Sequence, residues 1–144
     1  MPQAQTFKTH RRFFWPYHFI VQPILVGNFF IQLGDFITAP TTETGWTTIV
    51  AFGVAVLAIT ARVMALTVQN RVIRLEESLR LGRLMPAQDR GRIDELATRH
   101  LIGLRFAPDD EVVELAQRCL SGELKSGTDV KKNVKNWRPD YLRV

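Results

Sequence analysis

The chain has 144 residues, 46% of them hydrophobic, and a formal net charge of +5. That charge divides as +3 over residues 1–12, −2 over 13–61, +3 over 62–84 and +1 over 85–144, so the basic surplus flanks the apolar stretches. This argues against a nucleic-acid-binding domain, which concentrates its cations on the folded part, and the single Cys119 excludes an intramolecular disulfide.

Residues 1–12 read as a cytosolic segment whose Lys8, Arg11 and Arg12 precede 22 residues free of Asp, Glu, Lys and Arg. A cleaved signal peptide would also begin this way, but the run is too long for a signal's 7–15-residue apolar region and is interrupted by Gln22, Pro23 and Asn28. It therefore reads as a first transmembrane span over about 17–37, with Trp15 and Tyr17 at its inner boundary. On a helical wheel His18, Gln22, Asn28, Gln32 and Asp35 share an arc of about 140°. Polar groups in lipid are costly, so this face is expected to meet protein.

The connection from Thr38 to Gly45 holds neither Lys nor Arg, and another 18 residues without charge follow Glu43. They make a second span, about 47–68, with Trp46 at its outer boundary. Thr48, Ala51, Ala55, Ala58, Arg62, Ala65 and Gln69 form one stripe of mostly small residues, the kind that lets helices approach closely. The first span's polar face is expected to pack on this stripe in a hairpin, or the stripe serves a homo-oligomer. With a turn near Thr42–Glu43, Arg62 lies about level with Pro23 at 1.5 Å per residue. Gln22 and His18 are then its neighbours. A structural, snorkelling arginine is the plainer expectation; an ion, proton or headgroup role is the sharper one. Arg71, Arg74, Arg80 and Arg83 follow the second span, so both termini are expected in the cytoplasm.

The second helix should continue through 69–85, stopping between Gly82 and Pro86. Val68, Val72, Leu75 and Leu79 extend an apolar seam, too short to assign a coiled coil, and Glu76 and Arg80 can pair. Residues 86–144 read as a small helical cytosolic domain without strands. Its helices are expected over Ala87–Leu104, from Pro108 to Leu120 burying Val112, Val113, Ala116 and Cys119, and over Thr128–Asn136. Val130, Val134 and Trp137 should face inward from the last helix. Lys131, Lys132, Lys135 and Arg138 are then placed to meet anionic lipid headgroups or a protein partner. So small a region makes a marginal core and should lean on the membrane, the projecting helix or another subunit.

The fold expected is thus an all-α membrane protein: a two-helix transmembrane hairpin with a long second helix and a small cytosolic helical domain. No phosphate-binding loop, dinucleotide fingerprint or nucleophile elbow occurs, and His10, His18 and His100 are scattered without partners at metal-ligand spacing. No catalytic, cofactor or metal residues are assigned, and no enzyme activity is expected. The blocks Gln5-Thr6-Phe7-Lys8-Thr9-His10, Tyr17-His18-Phe19, Gln69-Asn70-Arg71-Val72-Ile73-Arg74-Leu75-Glu76-Glu77, Leu101-Ile102-Gly103-Leu104-Arg105-Phe106-Ala107 and Asn136-Trp137-Arg138-Pro139-Asp140-Tyr141 run over nearly the whole chain. In them the chain resembles an uncharacterised bacterial family of small two-span inner-membrane proteins, a domain of unknown function. The resemblance implies a membrane location and supplies no activity. The function expected is a non-enzymatic accessory or scaffolding subunit, partnered by the lipid bilayer and by another membrane protein or its own copies, without nucleic acid. The alternative is a small oligomeric transport or ion-responsive element using His18, Gln22, Asn28, Gln32 and Arg62.

Overall fold

A computed structural model describes residues 6, 7, 9 and 14–140. Lys8, Arg11 and Arg12, and with them the charge expected before the first span, lie outside the described residues. Every regular element among the described residues is helical. The elements are a π-turn over Tyr17–Val21, α1 (Gln22–Thr38), α2 (Thr42–Leu84), a 3-10 turn over Arg90–Glu95, α3 (Thr98–Leu104), α4 (Asp109–Leu120) and α5 (Gly127–Asn133). Described residues 14–66 form one compact unit and residues 67–140 another.

The first unit is an antiparallel pair made of α1 and the beginning of α2. The π-turn leads directly into Pro23, which has no N–H to donate. The preceding Gln22 N–H instead reaches five residues back to the Tyr17 carbonyl, a local rewinding of the helix. At the other end Thr41 and Thr44 cap α2 reciprocally: the Thr41 N–H donates to the Thr44 hydroxyl at 2.9 Å, and the Thr44 N–H to the Thr41 hydroxyl at 3.1 Å. The Thr44 hydroxyl also donates to the Ala39 carbonyl at 2.9 Å, which pulls the connection tight. The two helices then pair in order. Gly45 sits against the Phe36 ring, the Thr48 hydroxyl donates to the Gln32 carbonyl at 2.9 Å, and the Phe29 and Phe52 rings are 5.5 Å apart. Finally the Tyr17 hydroxyl donates to the Ala58 carbonyl at 3.0 Å.

On α2, Thr48, Ala51, Ala55, Ala58, Arg62, Ala65 and Gln69 are all at least half-covered, a run of mostly small side chains. The covered side of α1 is less polar than its wheel suggests. His18, Gln22 and Gln32 are half-buried, but so are Leu25, Gly27, Phe29 and Leu33, while Asn28 and Asp35 are exposed. Packing against a small-residue stripe favours bulk that fills space, and the Phe29–Phe52 contact takes the middle of the seam. The large apolar side chains otherwise face out: Ile24, Phe30, Ile31, Ile37, Ile49, Leu57 and Met64 are all more than half exposed. Both α1 with its π-turn and α2 are long and apolar enough to span a membrane.

The second unit buries its apolar residues in the ordinary way. Leu81 and Met85 from the end of α2 join Leu101, Leu104, Ala107, Val112, Leu115, Ala116, Cys119, Leu124, Val130 and Val134 in one cluster. The helical projection is therefore part of the small domain's core, and Ile73, Glu77 and Leu81 form its inward face. The apolar seam of Val68, Val72, Leu75 and Leu79 lies on the outside, 62%, 48%, 62% and 56% exposed. The ion pair changes accordingly, since Arg80 binds Glu77 and not Glu76. Residues Ala87–Leu104 do not make one helix either. The 3-10 turn ends in extended backbone at Leu96 and Ala97 before α3 begins. Gly91 weakens a helix there by about 1 kcal/mol relative to alanine, and the Arg90 guanidinium ties the segment back to the Met85 carbonyl at 3.0 Å. In α4, Leu115 takes a fully inward place and Val113 is half-buried. α3 and α5 cross closely at Gly103, where a Cβ would meet the Val130 Cβ at 2.8 Å.

α5 opens on a Ser126–Asp129 capping box and ends at Asn133, short of the expected Asn136. The cause is Glu111. Its carboxylate accepts the Lys135 N–H at 2.9 Å, the Asn136 N–H at 3.0 Å and the Asn136 side-chain amide at 2.7 Å. Pro139 also biases Arg138 toward extended backbone, and the Arg138 N–H donates to the Phe106 carbonyl at 2.8 Å. Val134 and Trp137 still reach the core, from an extended tail and not from a helix.

Candidate functional site

The second unit holds an open cleft of about 950 Å³ between α2, the turn after α3 and the tail. Its charged lining comes from Glu76, Glu77, Arg80 and Arg83 on α2, Arg105 and Asp109 around the turn, and Arg138 and Asp140 on the tail. The turn of α2 that carries Glu77 faces the small domain because Ile73 and Leu81, four residues to either side, are core residues. A carboxylate is thereby carried inward with them and left 5% exposed.

Arg80 satisfies most of that carboxylate. Its Nη1 lies 3.0 Å from Glu77 Oε2, its Nη2 2.6 Å from Asp109 Oδ1, and Nη2 also donates to the Ala107 carbonyl at 2.8 Å. Arg138 closes the network from the tail, its Nη1 3.7 Å from Glu77 Oε1. Burial pushes the Glu77 carboxyl above its ordinary range, and Arg80 and Arg138 pull it back only in part. Beside this network Arg105, 8% exposed, pairs with Asp140 at 3.3 Å. Its guanidinium also stacks on Phe106, 4.7 Å from the ring centre. The Phe106 ring in turn packs on Trp137, centroid to centroid 4.9 Å, and carries Lys131 at 5.5 Å.

The four carboxylates and four guanidiniums of the cleft balance in charge. What the arrangement does is clamp. Arg80 fastens α2 to the start of α4, and Arg138 and Asp140 fasten the tail to α2 and to the turn.

The residues singled out from sequence fall in two places. His18 is half-buried with its Nδ1 3.1 Å from the Phe14 carbonyl and its ring edge-on to Tyr17. Gln22 and Gln32 lie along the covered side of α1, and Asn28 does not. Arg62 sits over the Tyr17 ring at 5.9 Å, about a turn and a half of α1 away from the expected level of Pro23. The connection turns at Ala39–Thr41, earlier than expected, and every pairing shifts with it. On the tail side, Lys131 is half-buried over Phe106, Lys132 and Lys135 are exposed, and Arg138 reaches Glu77. Glu77, Arg105, Phe106 and Asp140 carry no site role in the sequence reading, which pairs Arg80 with Glu76 instead. The signal for Glu77 was present, a charge at the centre of the Ile73–Glu77–Leu81 spacing. His100, 8% exposed, lies with its Nε2 3.2 Å from the Lys125 carbonyl, a place in the core. Among the described residues no three His, Cys, Asp or Glu side chains gather to hold a metal ion.

The chain belongs to a family of unknown function, DUF6526, whose model matches residues 1–144. No curated protein and no solved structure matches it.

Proposed function

We propose that the chain is a non-enzymatic accessory or scaffolding protein of a bacterial inner membrane. In this reading the hairpin of α1 and early α2 is the anchor, both termini lie in the cytoplasm, and residues 67–140 are the docking part. One observation carries it. None of the most apolar 18-residue window of the first helix is buried, and only 6% of that of the second. The core helix of a soluble protein is mostly covered by its own chain; these apolar surfaces need a cover from outside, and lipid supplies it without further specificity. The orientation draws on Arg71, Arg74, Arg80 and Arg83 after the second span and on the absence of Lys and Arg between Thr38 and Gly45.

Alkaline carbonate extraction of cell membranes tests the anchor: the chain should stay in the pellet, and its release into the supernatant would end the reading. A reporter active only outside the cytoplasm should work near Thr42 and stay silent after Val144. The alternative, an oligomeric transport or ion-responsive element, draws less support. Gln22 and Gln32 lie half-covered along the seam within the hairpin, and Asn28 stands apart from them.

A further inference from the structure

We infer that two copies of this chain pair in parallel through the outer face of α2, along Val68, Val72, Leu75 and Leu79. These four follow one another at spacings of four, three and four, alternating as the core positions of a coiled coil do. They lie on the side of α2 opposite to Ile73, Glu77 and Leu81, so the small domain that packs on the inner face leaves the outer one uncovered. At the next core position Gly82 ends the seam.

Charge decides between the possible occupants and orientations. Arg71 and Glu76 flank the seam on opposite sides, and both are exposed. In a parallel pair the flanking residue before one core layer meets the residue five places further along the partner. That rule sets Arg71 of each copy against Glu76 of the other, two ion pairs from one interface. An antiparallel pair centred on the same seam sets Arg71 against Ser78 and Glu76 against Gln69, and forms none. Parallel is also the only orientation open to two copies inserted the same way into one bilayer. The inference rests on the membrane-anchor reading, because four apolar positions are too few to hold free helices together in water. Confinement to a bilayer raises the effective concentration of one copy for the other.

The test uses the full chain in native membranes, in a Cys119→Ala background, with carbonate extraction run on the same samples. Leu75→Cys should give a disulfide-linked dimer on mild oxidation, several-fold more than Arg74→Cys on the flank. Arg71→Glu added to Leu75→Cys should abolish the dimer by setting acid against acid, and Arg71→Glu with Glu76→Arg should restore it. Arg71, Arg74, Leu75 and Glu76 are exposed, so the variants there leave the folded core alone, and the buried Cys119→Ala change is common to every sample compared. A pelleted chain in which Leu75→Cys stays monomeric would overturn the pairing while leaving the anchor intact. Equal dimer from Leu75→Cys and Arg74→Cys would overturn it too, since that reports random collision. So would a monomer whose Leu75→Cys thiol is shielded from a water-soluble reagent, because lipid would then cover the seam. A chain released by carbonate would sink the anchor reading itself.

Discussion

The hairpin and the small domain use the same apolar residue types and bury them in opposite directions. In residues 67–140 Leu81, Leu101, Leu104 and Phe106 are almost fully enclosed. In residues 14–66 Leu57, Ile31 and Phe30 stand more than half exposed, and Ala51 is the buried hydrophobic residue. One unit is organised by removing apolar surface from water. The other is organised by close backbone approach along small residues, with its large side chains left uncovered by the chain itself, as the proposed lipid surrounding requires. Apolarity alone therefore does not say which way a side chain points; the solvent of the outer face decides.

The sharpest way to break this contrast is to delete bulk on both sides of it. Phe106→Ala should lower the stability of the small domain by about 3–5 kcal/mol, read by chemical denaturation in detergent. Leu57→Ala should leave hairpin and domain within about 0.5 kcal/mol of the parent. An equal cost for the two would mean that Leu57 packs on protein, and the lipid-facing assignment would fall. Trp137→Ala comes next, at about 3 kcal/mol, because its half-buried ring closes over Phe106. If the mutant folds normally and only binds anionic vesicles less well, the ring belongs to the membrane surface and not to the domain.

Cys119 sharpens the comparison through pH. Burial pushes its thiol up to about 11 from 9.0, with Arg118 opposing. The folded protein thus holds this proton more tightly than the unfolded chain. The stability so contributed is complete below pH 9 and is lost as pH rises through about 11, a loss of about 2–3 kcal/mol. Cys119→Ala should flatten that part of the pH profile of the small domain. An unchanged alkaline loss in the variant would assign it to other groups.

Much of this was legible beforehand, and the misses have physical causes. The stripe from Thr48 to Gln69 could be read because small residues in an apolar helix have few other uses. The covered side of α1 was misjudged at Asn28 and Asp35, since a wheel weighs polarity whereas the seam is filled by Leu25 and Phe29. The α4 boundaries followed from Pro108 and the acids after it. The end of α5 could not be read locally, because Glu111, more than twenty residues earlier, holds the tail's N–H groups away from a helix. The charged clamp stayed hidden for the same reason: Glu77, Asp109 and Arg138 meet only after the domain has closed.

The smallest predicted effect probes the polar contacts of the hairpin. The Tyr17 hydroxyl donates to the Ala58 carbonyl at 3.0 Å, tying the π-turn to α2 through a side chain. A helix carbonyl at Ala58 already has its own backbone partner one turn on, so Tyr17→Phe strands no acceptor. The phenyl ring remains to pack and to face Arg62, so shape and the cation contact survive. Only the second hydrogen bond at that oxygen is lost, and such bonds between membrane helices average about 0.6 kcal/mol. Tyr17→Phe should therefore shift hairpin unfolding in detergent by about that amount and leave the small domain untouched. A loss above about 2 kcal/mol would exceed what a bond between lipid-bathed helices supplies. It would place Tyr17 in a protein-filled, water-free setting, and the division between a lipid-facing hairpin and a self-enclosed domain would have to be redrawn at that end of α1.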